Sequence, residues 1–398
     1  MNGPPNLPPI AAPRSRNSSR VLAEIRRRGE TARVDIVDAL DLSPATVSAL
    51  VASLIEEGLI IETPSDQGAT GRGRPRVALR VNPGACRFAG AKLNDGAITV
   101  GVMDFAGAVL SETTVPLAGG AVAPEEMTST LAAGLDAALE DARLMRADLT
   151  ALGLGVPGFV DIDAGLCHWS PLLRGTPIDL KSRLEAELGL PVHIDNDANL
   201  ATLAELWFGH GRSEKNFLVV TIEHGVGLGV VIDGRLFRGA RGLGSEFGHI
   251  KVQNEGALCR CGQRGCLEAY VADYAIAREA PAALSGSDAA AIGDAPLDQL
   301  ARRAERGDEV AAAIFQRAGR MLGLGVANLS NLFDPALIVL AGARMKHYHL
   351  LAPEMEKAMA ANALRTERPP TELRVHRWGD ELWARGAGTL AIDRTFEA

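Results

Sequence analysis

The sequence predicts an α/β protein in which a small three-helix domain precedes two α/β lobes. Three short amphipathic segments with stop signals lie before residue 60, the same order of strands occurs after Cys86 and again after Lys215, and 398 residues are too many for one ordinary core. With 47% hydrophobic and 23% charged residues, the composition is that of a folded globular chain and argues against disorder.

Residues 1–17 are Pro- and Asn-rich, lack an apolar run, and read as a disordered tail rather than a secretion signal. No stretch of about eighteen apolar residues follows, so a cytoplasmic, membrane-free protein is expected. Ser18 to Arg28 then forms an amphipathic helix with Val21, Leu22 and Ile25 on one face, stopped by Gly29. Thr31 is expected to cap a second helix carrying Val34, Ile36, Val37 and Leu40. Ser43-Pro44, a capping hydroxyl and a proline at the first helical position, opens a third that runs through Thr46, Val47, Leu50, Leu54 and Ile55 to Gly58.

Leu59–Ile61 and Val77–Leu79 are short apolar strands on either side of a Gly-, Pro- and Arg-rich stretch, Pro64 to Arg76, which makes a hairpin wing. Residues 18–82 therefore read as a winged helix-turn-helix. Charge agrees: residues 1–82 hold eleven Arg against nine Asp and Glu, a net +2, so with a total of −8 the rest of the chain carries −10. Such a domain binds DNA, its third helix presenting Ser43, Thr46 and Ser48 to the major groove. Arg72, Arg74 and Arg76 lie in Arg72-Gly73-Arg74-Pro75-Arg76, similar to the short Arg-Gly-Arg-Pro element that occupies A·T-rich minor grooves. Hydroxyls are weak readers and Ala49 offers no cation, so much of the affinity is expected from the wing.

From Cys86 to residue 398 the grammar is α/β. CRFAGAKLND, AITVGVMD and VLSETTVPLA precede a helix from Pro124 to Arg143 and a buried strand in LTALGLGVPG; NFLVVTIEHG, VGLGVVIDG and RLFRGARG repeat the three strands after Lys215. Two lobes with a cleft between them fit this pattern. Of five cysteines, Cys259, Cys261 and Cys266 are clustered, which suits a metal site in a reducing compartment better than disulfides, whereas Cys86 and Cys167 read as buried thiols.

The segment 246–268, EFGHIKVQNEGALCRCGQRGCLE, resembles the signature of the ROK family of repressors and sugar kinases. GVPGFVD at 155–161, DNDANLATLAE at 195–205, GRMLGLGVANLSNLFDPALIVLAG at 319–342 and GAGTLAI at 386–392 resemble that family in order and spacing. The resemblance implies a two-lobed actin/hexokinase-like (ribonuclease H-like) ROK domain over 86–398, with a sugar site in the cleft. His249, Cys259, Cys261 and Cys266 then supply a closed set of zinc ligands in a loop at 249–266, which makes the ion structural; Gly262 and Gly265 let the chain fold tightly around it.

The resemblance also implies that Asn196, Asp197, Glu246, His249 and Glu268 line the sugar pocket and that Gly158 lies in a loop closing over it. Carboxylates and amides suit sugars because each hydroxyl both gives and takes a hydrogen bond. In the family's kinases Asp197 would be the general base. Their first phosphate loop, Asp-x-Gly-Gly-Thr, reads Lys92-Leu93-Asn94-Asp95-Gly96 here, and their second, Gly-Thr-Gly, reads Glu223-His224-Gly225-Val226-Gly227. A cation and a carboxylate where phosphate handling is needed make Asp197 a vestigial base and predict binding without turnover. The expectation is a homodimeric, sugar-responsive repressor of carbohydrate-utilisation genes that leaves operator DNA when sugar closes the cleft, the alternative being an active or bifunctional ROK sugar kinase.

Overall fold

Helix α1 (Arg16–Arg28) begins two residues before the apolar pattern does, because the Ser15 hydroxyl accepts from Ser18 N and caps the first turn. The last residues of the expected tail are therefore helical. The computed structural model describes residues 15–64, 77–240, 242, 244–283, 296–365, 367, 369–376 and 381–396, so the rest of that tail lies outside the described residues. The chain divides into two units, Met1–Asp195 with Trp383–Ala398, and Asn196–Leu382.

In the first unit, α2 (Arg33–Leu40) is capped from Ala32 and not from Thr31. The Thr31 backbone exchanges hydrogen bonds with Leu79, at 2.7 and 3.0 Å, and this extended pairing takes it out of the helix. The Ala32 N–H donates instead to Asp35 Oδ2 at 3.1 Å. Helix α3 (Pro44–Glu56) opens as expected on Ser43, and Gly58 sits at φ 72° beyond its end. Strands β1 (Ile60–Pro64) and β2 (Val77–Val81) pair antiparallel, with Ile60 opposite Val81.

Val21, Ile25, Ile36, Val47, Val51 and Leu54 bury the inward stripes of the three helices. Their core does not stop at residue 82. It continues through Phe88, Met103 and Phe105 to Ile392 and Phe396 on the C-terminal helix Glu381–Phe396. The Phe105 and Phe396 rings lie 5.0 Å apart between centroids. Ser19 Oγ donates to Phe396 O, and Arg26 pairs with Asp393 at 3.0 Å with side chains only 5% and 16% exposed. The winged helix and the C-terminal helix thus share one packed core.

Strands β3 (Arg87–Asn94), β4 (Ala97–Asp104) and β5 (Val109–Pro116) form an antiparallel meander, and β6 (Ala151–Val156) lies parallel to β3. Helix α4 (Pro124–Ala142) packs against β4 and β5. Strands β7 (Phe159–Asp161), β8 (Leu166–Trp169) and β9 (Ile178–Asp179) make a separate small sheet ahead of helix α5 (Leu180–Leu188), and β10 (Val192–Asn196) completes the order β10-β6-β3-β4-β5. The C-terminal helix lies flush on this sheet: a Cβ at Gly90 or Gly153 would stand 2.0 or 1.9 Å from the carbonyls of Ala384 or Ala387. Cys86 and Cys167 are buried, as expected.

The second unit repeats the plan. After helix α6 (Asp197–Phe208), strands β11 (Phe217–Ile222), β12 (Val226–Ile232) and β13 (Arg235–Phe237) form the meander, and β14 (Leu337–Ala341) and β15 (Glu372–Val375) follow in the order β13-β12-β11-β14-β15, with β14 parallel to β11 and β15 parallel to β14. The repeated strand grammar is therefore a repeated topology. Helices α7 (Glu268–Val271) and α8 (Asp273–Ala277) come directly after the cysteine loop. Among the described residues, no single helix is long and apolar enough to cross a membrane.

Replacing Phe396 by Ala should lower the stability of the first unit by about 3–5 kcal/mol, the usual loss for a buried aromatic. Leu110→Ala, at a side chain 43% exposed on β5, should cost under about 0.5 kcal/mol. Urea unfolding compares them; equal midpoints would show that the two chain ends do not share a core.

Candidate functional site

The loop after β13 contains a 3-10 turn, Phe247–His249, then a tight ribbon in which Lys251 bridges Cys266 and Leu258 bridges Arg264. Gly262 and Gly265 have φ of 84° and 79°, and a Cβ at Gly265 would meet Gln253 O at 1.8 Å, so the ribbon closes only with glycine there. This brings His249, Cys259, Cys261 and Cys266 together, their ligand atoms all within 4.8 Å of one another. Cys261 Sγ stands 3.7 Å from Cys266 Sγ, and Cys259 Sγ 3.7 Å from His249 Nδ1. Those distances are far too long for a disulfide, and they match the edges of a tetrahedron around an ion bound at about 2.3 Å by sulfur, roughly 3.8 Å. The group is a candidate metal centre with His249 ligating through Nδ1, which places Nε2 on the opposite edge of the ring.

Sequence reasoning missed three side chains around this cluster. Lys251 Nζ donates to Cys266 Sγ at 3.0 Å. The Tyr270 hydroxyl accepts from Ala257 N at 2.7 Å. The Tyr274 hydroxyl reaches Cys259 Sγ at 3.5 Å and Glu268 Oε1 at 3.3 Å. A signal existed: the chain has only three tyrosines, and two follow the cysteines within eight residues.

Glu246, Glu268 and Asp197 form an acidic neighbourhood beside the cluster. Burial pushes Glu246 up to about 7, with the charges of Glu268 and Asp197 adding to the shift. In its protonated form such a carboxyl both donates and accepts. Glu268 starts α7 and its Oε2 accepts from Val226 N at 3.3 Å. Asn196 caps α6, its Oδ1 accepting from Ala198 N at 2.9 Å, and Asp197 Oδ1 accepts from the same N–H at 3.0 Å. Capping accounts for one oxygen of each residue. Gly158 belongs to the first unit; its φ of 125° and the 2.1 Å that would separate a Cβ from Trp169 O restrict the position to glycine.

The two loops matched to phosphate loops have specific contacts. Lys92 is buried in β3 with Nζ 3.5 Å from the centre of the Trp383 ring. Asn94 to Ala97 is a tight turn between β3 and β4, with Gly96 at φ 81°. Glu223 follows β11, and its Oε1 accepts from Ala343 N at 3.2 Å, just beyond β14.

On α3, Ser43 and Ser48 are not aligned in role: the Ser43 hydroxyl is engaged in capping, accepting from Thr46 N at 3.1 Å and lying 2.8 Å from Thr46 Oγ1, whereas Ser48 is exposed. Ala49 is exposed. Arg72, Arg74 and Arg76 lie outside the described residues.

Residues 95–394 match the ROK family, and residues 14–69 match the MarR family. The chain belongs to the ROK family. It is 30% identical over 359 residues to the DNA-binding transcriptional dual regulator NagC of Escherichia coli, covering 88% of this chain and 86% of that one. It is also 31% identical over 314 residues to a glucokinase of Halalkalibacterium halodurans, covering 76% of this chain and 94% of the kinase. A solved ROK family transcriptional regulator, described as a homologue of the E. coli MLC protein, superposes with a TM-score of 0.78 at 28% identity over 96% of both chains. The kinase relative aligns with about three quarters of this ROK chain, whereas the regulators cover more of it.

Metal analysis of freshly purified protein should find about one ion per chain, and Cys261→Ser, which removes one of four ligands, should lose it. Metal content unchanged in that variant would exclude the cluster as the binding site.

Proposed function

We propose that this ROK protein is a sugar-responsive transcriptional repressor of carbohydrate-utilisation genes, with residues 18–82 binding operator DNA, residues 86–398 reading the sugar, and sugar binding lowering affinity for DNA. The observation that carries the reading is the continuous core from Val21 to Phe396: a MarR-like winged helix is built into the same body as the first ROK sheet. A shift of the first ROK sheet would then carry the winged helix with it, with no linker between them.

In this reading zinc occupies His249, Cys259, Cys261 and Cys266 as a structural ion, since three thiols and an imidazole leave no open position. The ion would supply rigidity to a loop with little apolar mass. His249, ligating through Nδ1, would present Nε2 to a sugar hydroxyl in fixed orientation. Glu246, Glu268, Asp197 and Asn196 would take further hydroxyls, and Glu246, whose carboxyl is pushed toward the protonated form by burial, suits a hydroxyl's double character. The same reading gives Gly158 a place in the loop that closes over the ligand.

Two contacts favour binding over phosphoryl transfer. Lys92, at the position matched to the kinases' carboxylate, is a buried cation against Trp383 and supplies no anionic holder for a magnesium-bound nucleotide. Glu223 lays its own carboxylate on the Ala343 N–H, a backbone donor of the kind that would otherwise meet phosphate. The kinase reading, with Asp197 as base, predicts sugar-dependent ATP turnover lost in Asp197→Asn; we expect none in the parent.

On DNA the protein would act as a homodimer on paired half-sites. Because Ser43 is committed to capping and Ala49 carries no charge, the wing arginines would supply much of the affinity. Arg74→Ala should weaken operator binding and flatten its salt dependence, whereas Thr46→Ala should reduce discrimination against scrambled DNA more than total affinity. Binding of both variants to operator and scrambled duplexes at two salt concentrations tests this, and parental behaviour of Arg74→Ala would reduce the wing to a linker. For the sugar, thermal shift against glucose, xylose and N-acetylglucosamine should reveal at least one stabilising ligand that also releases operator DNA. DNA binding indifferent to every sugar that shifts the melting temperature would sink the repressor mechanism.

A further inference from the structure

The Tyr274 hydroxyl stands between the two chemistries of the second unit. It is 3.5 Å from Cys259 Sγ in the metal cluster and 3.3 Å from Oε1 of Glu268 in the acidic neighbourhood, and it accepts from Arg260 N at 3.4 Å. Its ring is held in place as well, with the Arg260 guanidinium 4.1 Å from the ring centre. A phenol has one hydrogen, so it donates fully to the thiol sulfur or to the carboxylate but not to both. The distance to the carboxylate is longer than a committed hydrogen bond between oxygens would be, as expected for a donor placed between two acceptors.

Cys259 has the same choice from the other side, because its thiol lies 3.5 Å from Glu268 Oε1 and as an S–H donates to it. As a metal ligand Cys259 is a thiolate that donates nothing and shares its charge with the ion, so Glu268 Oε1 loses the thiol as a donor and, as the stronger of the two acceptors, takes the hydrogen of Tyr274. The other oxygen of Glu268 is already fixed by Val226 N. With both oxygens held, the carboxylate is oriented from two elements at once and meets a sugar hydroxyl without having to be ordered first.

We propose that Tyr274 is a positioning residue that couples the metal centre to the sugar site by orienting Glu268. The role rests on the sugar and metal assignments above and adds to them a route by which the loop's ion tunes sugar affinity through a single hydroxyl. Lys251 donates to Cys266, at a different corner of the cluster, and serves as a comparison.

The test uses the full chain loaded with cobalt(II) in place of zinc, as parent, Tyr274→Phe and Lys251→Met. Phe preserves the ring under Arg260 and removes only the hydroxyl. Tyr274→Phe should retain about one cobalt per chain and the parental melting temperature, leave the thiolate-to-cobalt absorption close to the parental one because in the loaded parent the Tyr274 hydrogen goes to Glu268, and bind the panel sugar that the parent binds roughly tenfold more weakly, within the range expected when a group behind a metal ligand is lost. Lys251→Met should shift the absorption and leave sugar affinity within about twofold, since a group behind a ligand affects the sugar only through a shared contact. Parental sugar affinity in Tyr274→Phe overturns the proposal while leaving the sugar site standing. An equal loss of sugar affinity in both variants also overturns it, since the effect would then belong to the loop in general. If the cobalt-loaded parent binds none of glucose, xylose and N-acetylglucosamine, the sugar reading itself fails and the role of Tyr274 falls with it.

Discussion

A DNA-binding head is commonly pictured as an independent bead on a string, but here residues near both chain ends fill the same apolar space. Phe396 packs on Phe88 and Phe105, Ile25 and Val21 reach the same cluster, and the ion pair of Arg26 with Asp393 seals its edge. A pair so little exposed is costly to break, since removing either partner leaves a buried charge. The arrangement also depends on the strands beneath. Gly90 and Gly153 let the C-terminal helix approach to backbone contact, which is how its far end reaches the winged helix at all.

The second unit solves a different problem. Its loop from His249 to Cys266 is poor in apolar side chains, yet it must hold a fixed shape next to three carboxylates, where burial and mutual repulsion raise Glu246 to about 7. Convergent thiols, two tyrosines against the ribbon and a lysine on Cys266 add directional contacts to the apolar packing of Ile250, Val252 and Ala257 on the core of the second unit. Directional contacts fix orientation as well as position, and orientation is what recognition of hydroxyl-rich ligands requires.

Much of this is legible in the chain itself. Ser43-Pro44 and Gly58 delimit the third helix because caps act locally, through the nearest backbone groups. The doubled strand grammar foretells the duplicated sheets, and the spacing of Cys259, Cys261 and Cys266 foretells their convergence, because glycines at 262 and 265 leave a short loop few ways to close, while His249 joins them as the family resemblance implies. Thr31 departs from its expected role for the complementary reason. Its hydroxyl is a good local cap, but the backbone of Leu79, distant in the chain, outcompetes it.

Local backbone preferences and residue types at short spacing are enough to set the helices and strands, the cysteine and histidine cluster and the family, so these can be read without coordinates. Packing alone settles that the C-terminal helix completes the winged-helix core, that Lys92 faces Trp383, and that Tyr274 lies within reach of both Cys259 and Glu268. Each of these is a contact between groups whose partners depend on how whole elements come together: a phenylalanine, a lysine or a tyrosine carries no mark in the sequence of which distant surface it will meet.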